Sequence, residues 1–210
     1  MISPVRICLG SIQCESQETP CTKLDSHADS CVLGKNALVV QDFERPVSVY
    51  GYEGQNGPVK TARTVTGALA YDNPLDGQTL ILVVHQATYI PSLHHNLLCP
   101  MQMRMNDVKV NEKPKFFCKT PTDESHSLII QNEDNEEDNL LIPLSLNGVT
   151  SYFNTRKPSV EEFESCTRYE LTAEGPEWDP ASPTFGAQED SMKDFRGQVR
   201  DPTQILKEIS

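Results

Sequence analysis

The segment Leu24-Asp25-Ser26-His27-Ala28-Asp29 sets two carboxylates four residues apart, with a hydroxyl and an imidazole between them. A carboxylate delivered by an apolar strand end, then a hydroxyl and a turn, is the kind of element that amide hydrolysis needs. Two carboxylates about 3 Å apart cannot both ionise, so they share one proton. The ionised member then activates water while the protonated member polarises a carbonyl. The adjacent hydroxyl can hold such a pair in register by hydrogen bonding across it. Asp25, Ser26 and Asp29 also read as ordinary turn residues that need no chemistry, since Asp and Ser are common in turns.

The elements that must position this segment read as short β-strands. Cys21 to Leu24 enters the polar turn and Cys31-Val32-Leu33 leaves it. Pro46 to Tyr50 alternates with period two, as does Val59 to Tyr71, and the pair forms a hairpin across the glycine-rich tip 51–58. Thr79 to Val84 is a continuous apolar run and reads as a buried strand, with His85 at its end. Asn96 to Met105 reads as one short helix with an apolar stripe of Leu97, Leu98, Met101 and Met105, its methionines filling core gaps. Residues 108–110 and 115–118 read as a hairpin, and 127–130 and 140–144 as two more strands. Asp201, as N-cap before Pro202, opens a helix-like C-terminus. Many short strands separated by turn signals point to an all-β sandwich or barrel.

Charge divides the chain. Its 30 acidic and 18 basic residues give a net −12, yet residues 1–120 are balanced at 11 of each, so the whole excess lies in 121–210. Acidic blocks such as 133–138 and the Pro-punctuated 175–183 read as solvated loop or disordered tail, with Trp178 as a docking anchor. An acidic chain without a clustered basic face is a poor partner for nucleic acid, so direct nucleic-acid binding is not expected. No apolar run is long enough to span a bilayer, and the N-terminus is too short and polar to read as a signal peptide, so a membrane role is not expected. Seven cysteines, an odd and irregularly spaced set, fit reduced thiols in a cytoplasmic setting. A metal module drawn from Cys21, His27 and Cys31 with His94, His95 or Cys99 is conceivable on residue type, but its spacing matches no structural zinc site. No metal or cofactor is expected.

Two stretches together carry a family resemblance. Leu24 to Ala28 resembles the apolar-Asp-[Ser/Thr]-Gly-Ala loop of retropepsin-like aspartic proteases. Tyr89-Ile90-Pro91-Ser92-Leu93-His94-His95-Asn96-Leu97-Leu98-Cys99-Pro100-Met101-Gln102-Met103 resembles the Tyr-Val-Pro-x-Leu-x-x-Asn-Leu-Leu-Ser-x-x-Gln-Leu segment of copia-type LTR retrotransposon polyproteins, in the family's order and spacing. The resemblance covers residues 20–120. It implies a small closed β-barrel with a flap hairpin and one short helix, followed by an acidic, partly disordered C-terminal extension. It implies Asp25 as the catalytic carboxylate and Ser26 as the hydroxyl tying two active-site loops together. His27, Ala28 and Asp29 would contact substrate, as would Gly54, Gln55, Asn56 and Gly57 in the flap. Leu97, Leu98 and Cys99 would form the second active-site loop. His27 replaces the family's glycine, which tolerates unusual dihedrals and lets substrate backbone approach closely. Cys99 replaces a small Gly or Ser.

The chain holds no second Asp-[Ser/Thr] loop in an apolar setting, so a dyad requires a homodimer with Asp25 from each protomer. The expected organisation is a lead-in (1–19), a protease domain (20–120), a strand-containing extension with an acidic loop (121–154) and a largely disordered acidic tail (155–210). The expected function is an aspartic endopeptidase domain of a retrotransposon polyprotein, acting on peptide or polyprotein substrate. The alternative is an inactive retropepsin-like remnant serving dimerisation or peptide binding by strand addition.

Overall fold

β-Branched and leucine-rich runs bounded by Gly, Pro, Asn and Asp form twelve strands in a computed structural model of the chain, which describes residues 20–49, 60–131 and 139–200. The strands are β1 (Cys21–Leu24), β2 (Val32–Leu33), β3 (Leu38–Val49), β4 (Lys60–Asp72), β5 (Thr79–Tyr89), β6 (Asn96–Leu98), β7 (Lys109–Asn111), β8 (Ser127–Ile130), β9 (Leu140–Pro143), β10 (Ser145–Asn147), β11 (Thr150–Asn154) and β12 (Arg168–Glu170). Three helices join them: α1 (Pro100–Arg104), α2 (Val160–Ser165) and α3 (Pro183–Ser191). The chain divides into two units, residues 1–178 and 179–210.

In the first unit nine strands share one sheet, in the order β10-β11-β1-β6-β2-β5-β4-β3, with β12 alongside β5. Strands β7, β8 and β9 form a second, antiparallel sheet. One apolar core spans both sheets, with Leu33, Leu69, Leu82, Leu98, Met103, Leu128, Ile142 and Leu171 fully buried. Strand β5 is buried along nearly its whole length because both faces are covered. One face looks into that core. The other packs Ile81 and Val83, with Ala68 and Ala70 of β4, against Phe163 and Cys166.

Several expectations need correction. The fold is mostly β, but the large sheet is open, running from β10 to β3, so the barrel is not closed. Among the described residues, 20–120 hold one α-helix, α1, while α2 and α3 lie in the extension expected to be partly disordered. Residues 96–98 are strand, because they pair with two neighbours at once, and the helix starts only at Pro100, where proline at its first turn and the Cys99 cap favour it. Of its methionines only Met103 is core; Met101 and Met105 are exposed. Residues 115–117 form a 3₁₀ turn, so β7 pairs with β8 instead. His85 is a buried residue within β5, its Nδ1 3.1 Å from the Thr66 hydroxyl. The glycine-rich tip, the acidic block 133–138, the lead-in and the final ten residues lie outside the described residues.

The expected disordered tail from 155 onward is also corrected for its first part. Ala70 and Arg156 exchange backbone hydrogen bonds, β12 pairs in parallel with β5, and Leu171 and Thr172 are fully buried. Acidic composition misleads here because the few apolar residues sit where β5 needs covering. The second unit, described on its own, holds α3, with Ser182 as N-cap and Pro183 at the first turn, and a bridge between Lys193 and Val199.

Helix α2 begins with a capping box, Ser159 accepting from the Glu162 amide and Glu162 accepting from the Ser159 amide. Arg156 ties that box to β4. Its guanidinium donates to both carboxylate oxygens of Asp72 (2.8 and 2.9 Å) and to both of Glu162 (2.8 and 2.6 Å). The Arg156 hydrogen bonds, joined by that of the Ser159 amide, hold the Glu162 carboxyl down to about 2, and Arg156 also holds Asp72 below its ordinary range. Acids whose folded pKa is depressed stabilise the fold above their unfolded pKa and lose that contribution as pH falls. The urea midpoint should therefore fall as pH drops from 4.5 towards about 2. Arg156→Met should flatten that dependence and lower the midpoint at neutral pH, as measured by urea unfolding across a pH series.

Candidate active site

Strands β1 and β2 flank the Asp25 turn, and β6 is inserted between them. It runs parallel to β1, with Thr22 opposite Asn96 and Leu24 opposite Leu98, and antiparallel to β2. The pairing continues one step into the loop, where the Asp25 amide donates to the Leu98 carbonyl at 3.0 Å. The Ala28 amide then closes a turn on the Asp25 carbonyl at 3.1 Å, and the His27 amide donates to Asp25 Oδ1 at 3.0 Å.

Three polar side chains keep this arrangement in place, and each satisfies buried groups that would otherwise cost free energy. Asn96, fully buried, accepts from the Gly34 amide (2.9 Å) and donates to the Thr22 hydroxyl (3.2 Å). Thr22 in turn lies 2.7 Å from the Thr155 hydroxyl. Gln102 on α1 accepts from the Cys31 amide at 2.8 Å, fastening the far end of the loop to the helix. Cys99 caps α1 through its sulfur, and its own amide donates to Cys31 Sγ at 3.2 Å. Burial pushes the Cys31 thiol up to about 12 and raises that of Cys99, so both are packing thiols, not nucleophiles.

The expected site residues thus fall into groups. Asp25, Ser26, His27, Ala28 and Asp29 share one loop with Leu97, Leu98 and Cys99 directly beneath it. Asp25 and Ala28 are half-buried; Ser26, His27 and Asp29 are exposed. Among the described residues the Ser26 hydroxyl makes no hydrogen bond. His27 does not use glycine's conformational freedom: the non-glycine residues at positive φ are Glu44, Gln86, Asp107 and His126. The imidazole is a question of space, not of backbone strain. Gly54, Gln55, Asn56 and Gly57 lie outside the described residues. Among the described residues no three His, Cys, Asp or Glu side chains gather into a metal-holding group. A shallow depression of about 380 Å³ lined by Asn73, Asp76, Gln78 and Tyr169 lies by the start of β5 and includes none of the loop residues.

Two participants escaped the sequence reading. Trp178, expected as an exposed docking anchor, is half-buried, and its indole N–H donates to the Asp29 carbonyl (2.8 Å) and the Ser30 hydroxyl (3.2 Å). Gln86 interrupts β5 at a bulge with φ of 53°, a left-handed conformation costing a non-glycine residue about 1–2 kcal/mol. The bulge aims its amide at residues 173–178. Its Nε2 lies 3.2, 3.0 and 2.8 Å from the carbonyls of Ala173, Glu174 and Pro176, and its Oε1 accepts from the Trp178 amide at 2.6 Å. Hydrogen bonds of about 1 kcal/mol each offset the strain. The pairing of an interrupted apolar run at Gln86 with a lone Trp downstream is the only signal the sequence carries.

Comparison with protein-family models, with curated proteins and with solved structures finds no match for the chain. No helix among the described residues is long and apolar enough to cross a membrane.

Gly34 is required by close approach, since a Cβ there would sit 2.6 Å from the Leu93 carbonyl oxygen and 2.9 Å from that of His95. Gly34→Ala should cost about 1–3 kcal/mol through overpacking. Asn96→Ala should cost about 2–3 kcal/mol by leaving the Gly34 amide without its acceptor and emptying a fully buried site. Both losses are read from urea unfolding at neutral pH.

Proposed function

We propose that the chain is a retropepsin-like aspartic endopeptidase domain of a copia-type retrotransposon polyprotein, working as a homodimer on extended peptide segments of that polyprotein in the cytoplasm. The observation that carries the proposal is the junction at Asp25 and Leu98. The two segments that resemble the family lie about seventy residues apart in sequence, yet β6 threads beneath the Asp25 loop in register with it. An Asp-Ser turn formed for local reasons alone has no need of that partner.

In the proposed dimer Asp25 faces Asp25 of the partner subunit and the pair holds one proton. The ionised carboxylate takes a proton from water, and the water oxygen adds to the scissile carbonyl carbon. The protonated carboxyl gives its proton to the carbonyl oxygen, forming a neutral gem-diol. Collapse returns a proton through the dyad to the departing nitrogen as the carbon–nitrogen bond breaks, so one water is consumed per bond cut. The His27 amide on Asp25 Oδ1 would orient the carboxylate. Ser26 hydroxyls would tie the two loops.

The second reading, a catalytically inactive remnant that dimerises or binds peptides, is favoured by one observation. His27 places a β-carbon and a ring at an exposed position where the family has glycine. The two readings part on simple measurements. The wild-type chain should sediment as a dimer and cleave a peptide library between about pH 3 and pH 7. Asp25→Asn should abolish cleavage while leaving sedimentation unchanged, and His27→Gly should raise kcat/KM. A dimer without cleavage in wild type and in His27→Gly points to the binding module.

A further inference from the structure

We propose that Trp178 is a positioning residue for the candidate active-site loop, acting through the Asp29 carbonyl; the role in cleavage rests on the aspartic-protease reading above. The entry to the loop is held by the Asp25 amide on Leu98, and its exit by the Cys31 amide on Gln102. Between these anchors lie the exposed Asp29 and the half-buried Ser30. Here the polar contact comes from outside the region of resemblance, from the indole N–H of Trp178 on the Asp29 carbonyl and the Ser30 hydroxyl. A carbonyl held at a fixed direction fixes the peptide plane between Asp29 and Ser30, and with it the orientation of the stretch following Asp25.

Trp178 is itself held from two directions. Gln86, buried in β5, accepts from its amide and gathers the carbonyls of the preceding residues. Glu177, its neighbour, pairs with Arg45 on β3, which pairs antiparallel with β4. Residues 173–178 therefore form a strap that joins the loop, β5 and β3. The acidic extension supplies part of the site instead of following it.

The test uses the full-length chain. Trp178→Phe keeps a ring and removes the N–H, and Gln86→Gly accepts the positive φ without strain while removing the clamp. In an Asp25→Asn background, which prevents self-cleavage, each variant should speed amide hydrogen exchange in residues 26–31 about tenfold, with exchange in the buried strand β5 of Trp178→Phe unchanged. With Asp25 intact, each should lower kcat about tenfold and leave KM within about threefold, the signature of misplaced catalytic groups and not of lost binding. Unchanged exchange at 26–31 in Trp178→Phe overturns the clamp whether or not the chain is a protease. Faster exchange with kcat unchanged or raised overturns its role in catalysis, a raised kcat marking the strap as inhibitory. A wild-type chain that cleaves nothing, with faster exchange in the variants, overturns the protease reading and leaves the clamp standing.

Discussion

The buried amide of Asn96 is the contact on which the site depends. Inserting β6 between β1 and β2 brings three short strands together, one of them in parallel, and none is long enough to be stable by its own ladder. Asn96 bridges the Thr22 hydroxyl on one side and the Gly34 amide on the other, so both flanks of the Asp25 loop are referred to one side chain. Full burial makes its hydrogen bonds strong and any mispairing expensive. A one-residue slip of β6 would expose Asn96 and bury Leu97 in its place, losing the satisfied network and the Asp25–Leu98 bond together. The register that positions the carboxylate is thus selected by polar satisfaction as much as by hydrophobic burial.

The same logic explains why a chain so acidic in its second half still builds a core there. Strand β5 is apolar on both faces, and the residues that resemble the protease family cover only part of it. The rest is covered by Phe163, Cys166 and the β12 segment, held to β4 by Arg156. Charge in this region is concentrated on groups that pair, as in Glu162 and Asp72 with Arg156, or that lie exposed. Net charge per segment measures solvation, and it says little about which few side chains in the segment are buried.

Much of the loop's geometry was legible because it is local. An apolar strand end, Asp, Ser and a turn identify a loop from five residues, and the downstream Asn-Leu-Leu stretch marks its partner. The strands of the central hairpin and the apolar run of β5 were legible through period and hydrophobicity. What failed to show depends on partners far away in sequence. Asn96 to Leu98 has helical spacing when read with Met101 and Met105, yet two neighbouring strands override that propensity. Barrel closure could not be read because it depends on whether the terminal strands meet, which no local pattern encodes. Trp178 meets Asp29 across nearly 150 residues, through a bulge at Gln86 that looks in the sequence like a polar interruption.

In the proposed homodimer a single Asp25 from each chain would turn symmetry into a chemical requirement. A dyad built by a two-fold axis begins with identical sites, so the unequal acidities that catalysis needs arise only when a shared proton breaks the symmetry. Under that constraint any group close to Asp25 would act twice, once from each copy. The His27 imidazole is exposed in the single chain, with ordinary backbone dihedrals and its amide already engaged with Asp25. Two such rings beside the axis would meet both the substrate and each other. In that dimer the imidazole at position 27 would therefore bear on the approach of two loops, a property of the pair and not of either chain alone.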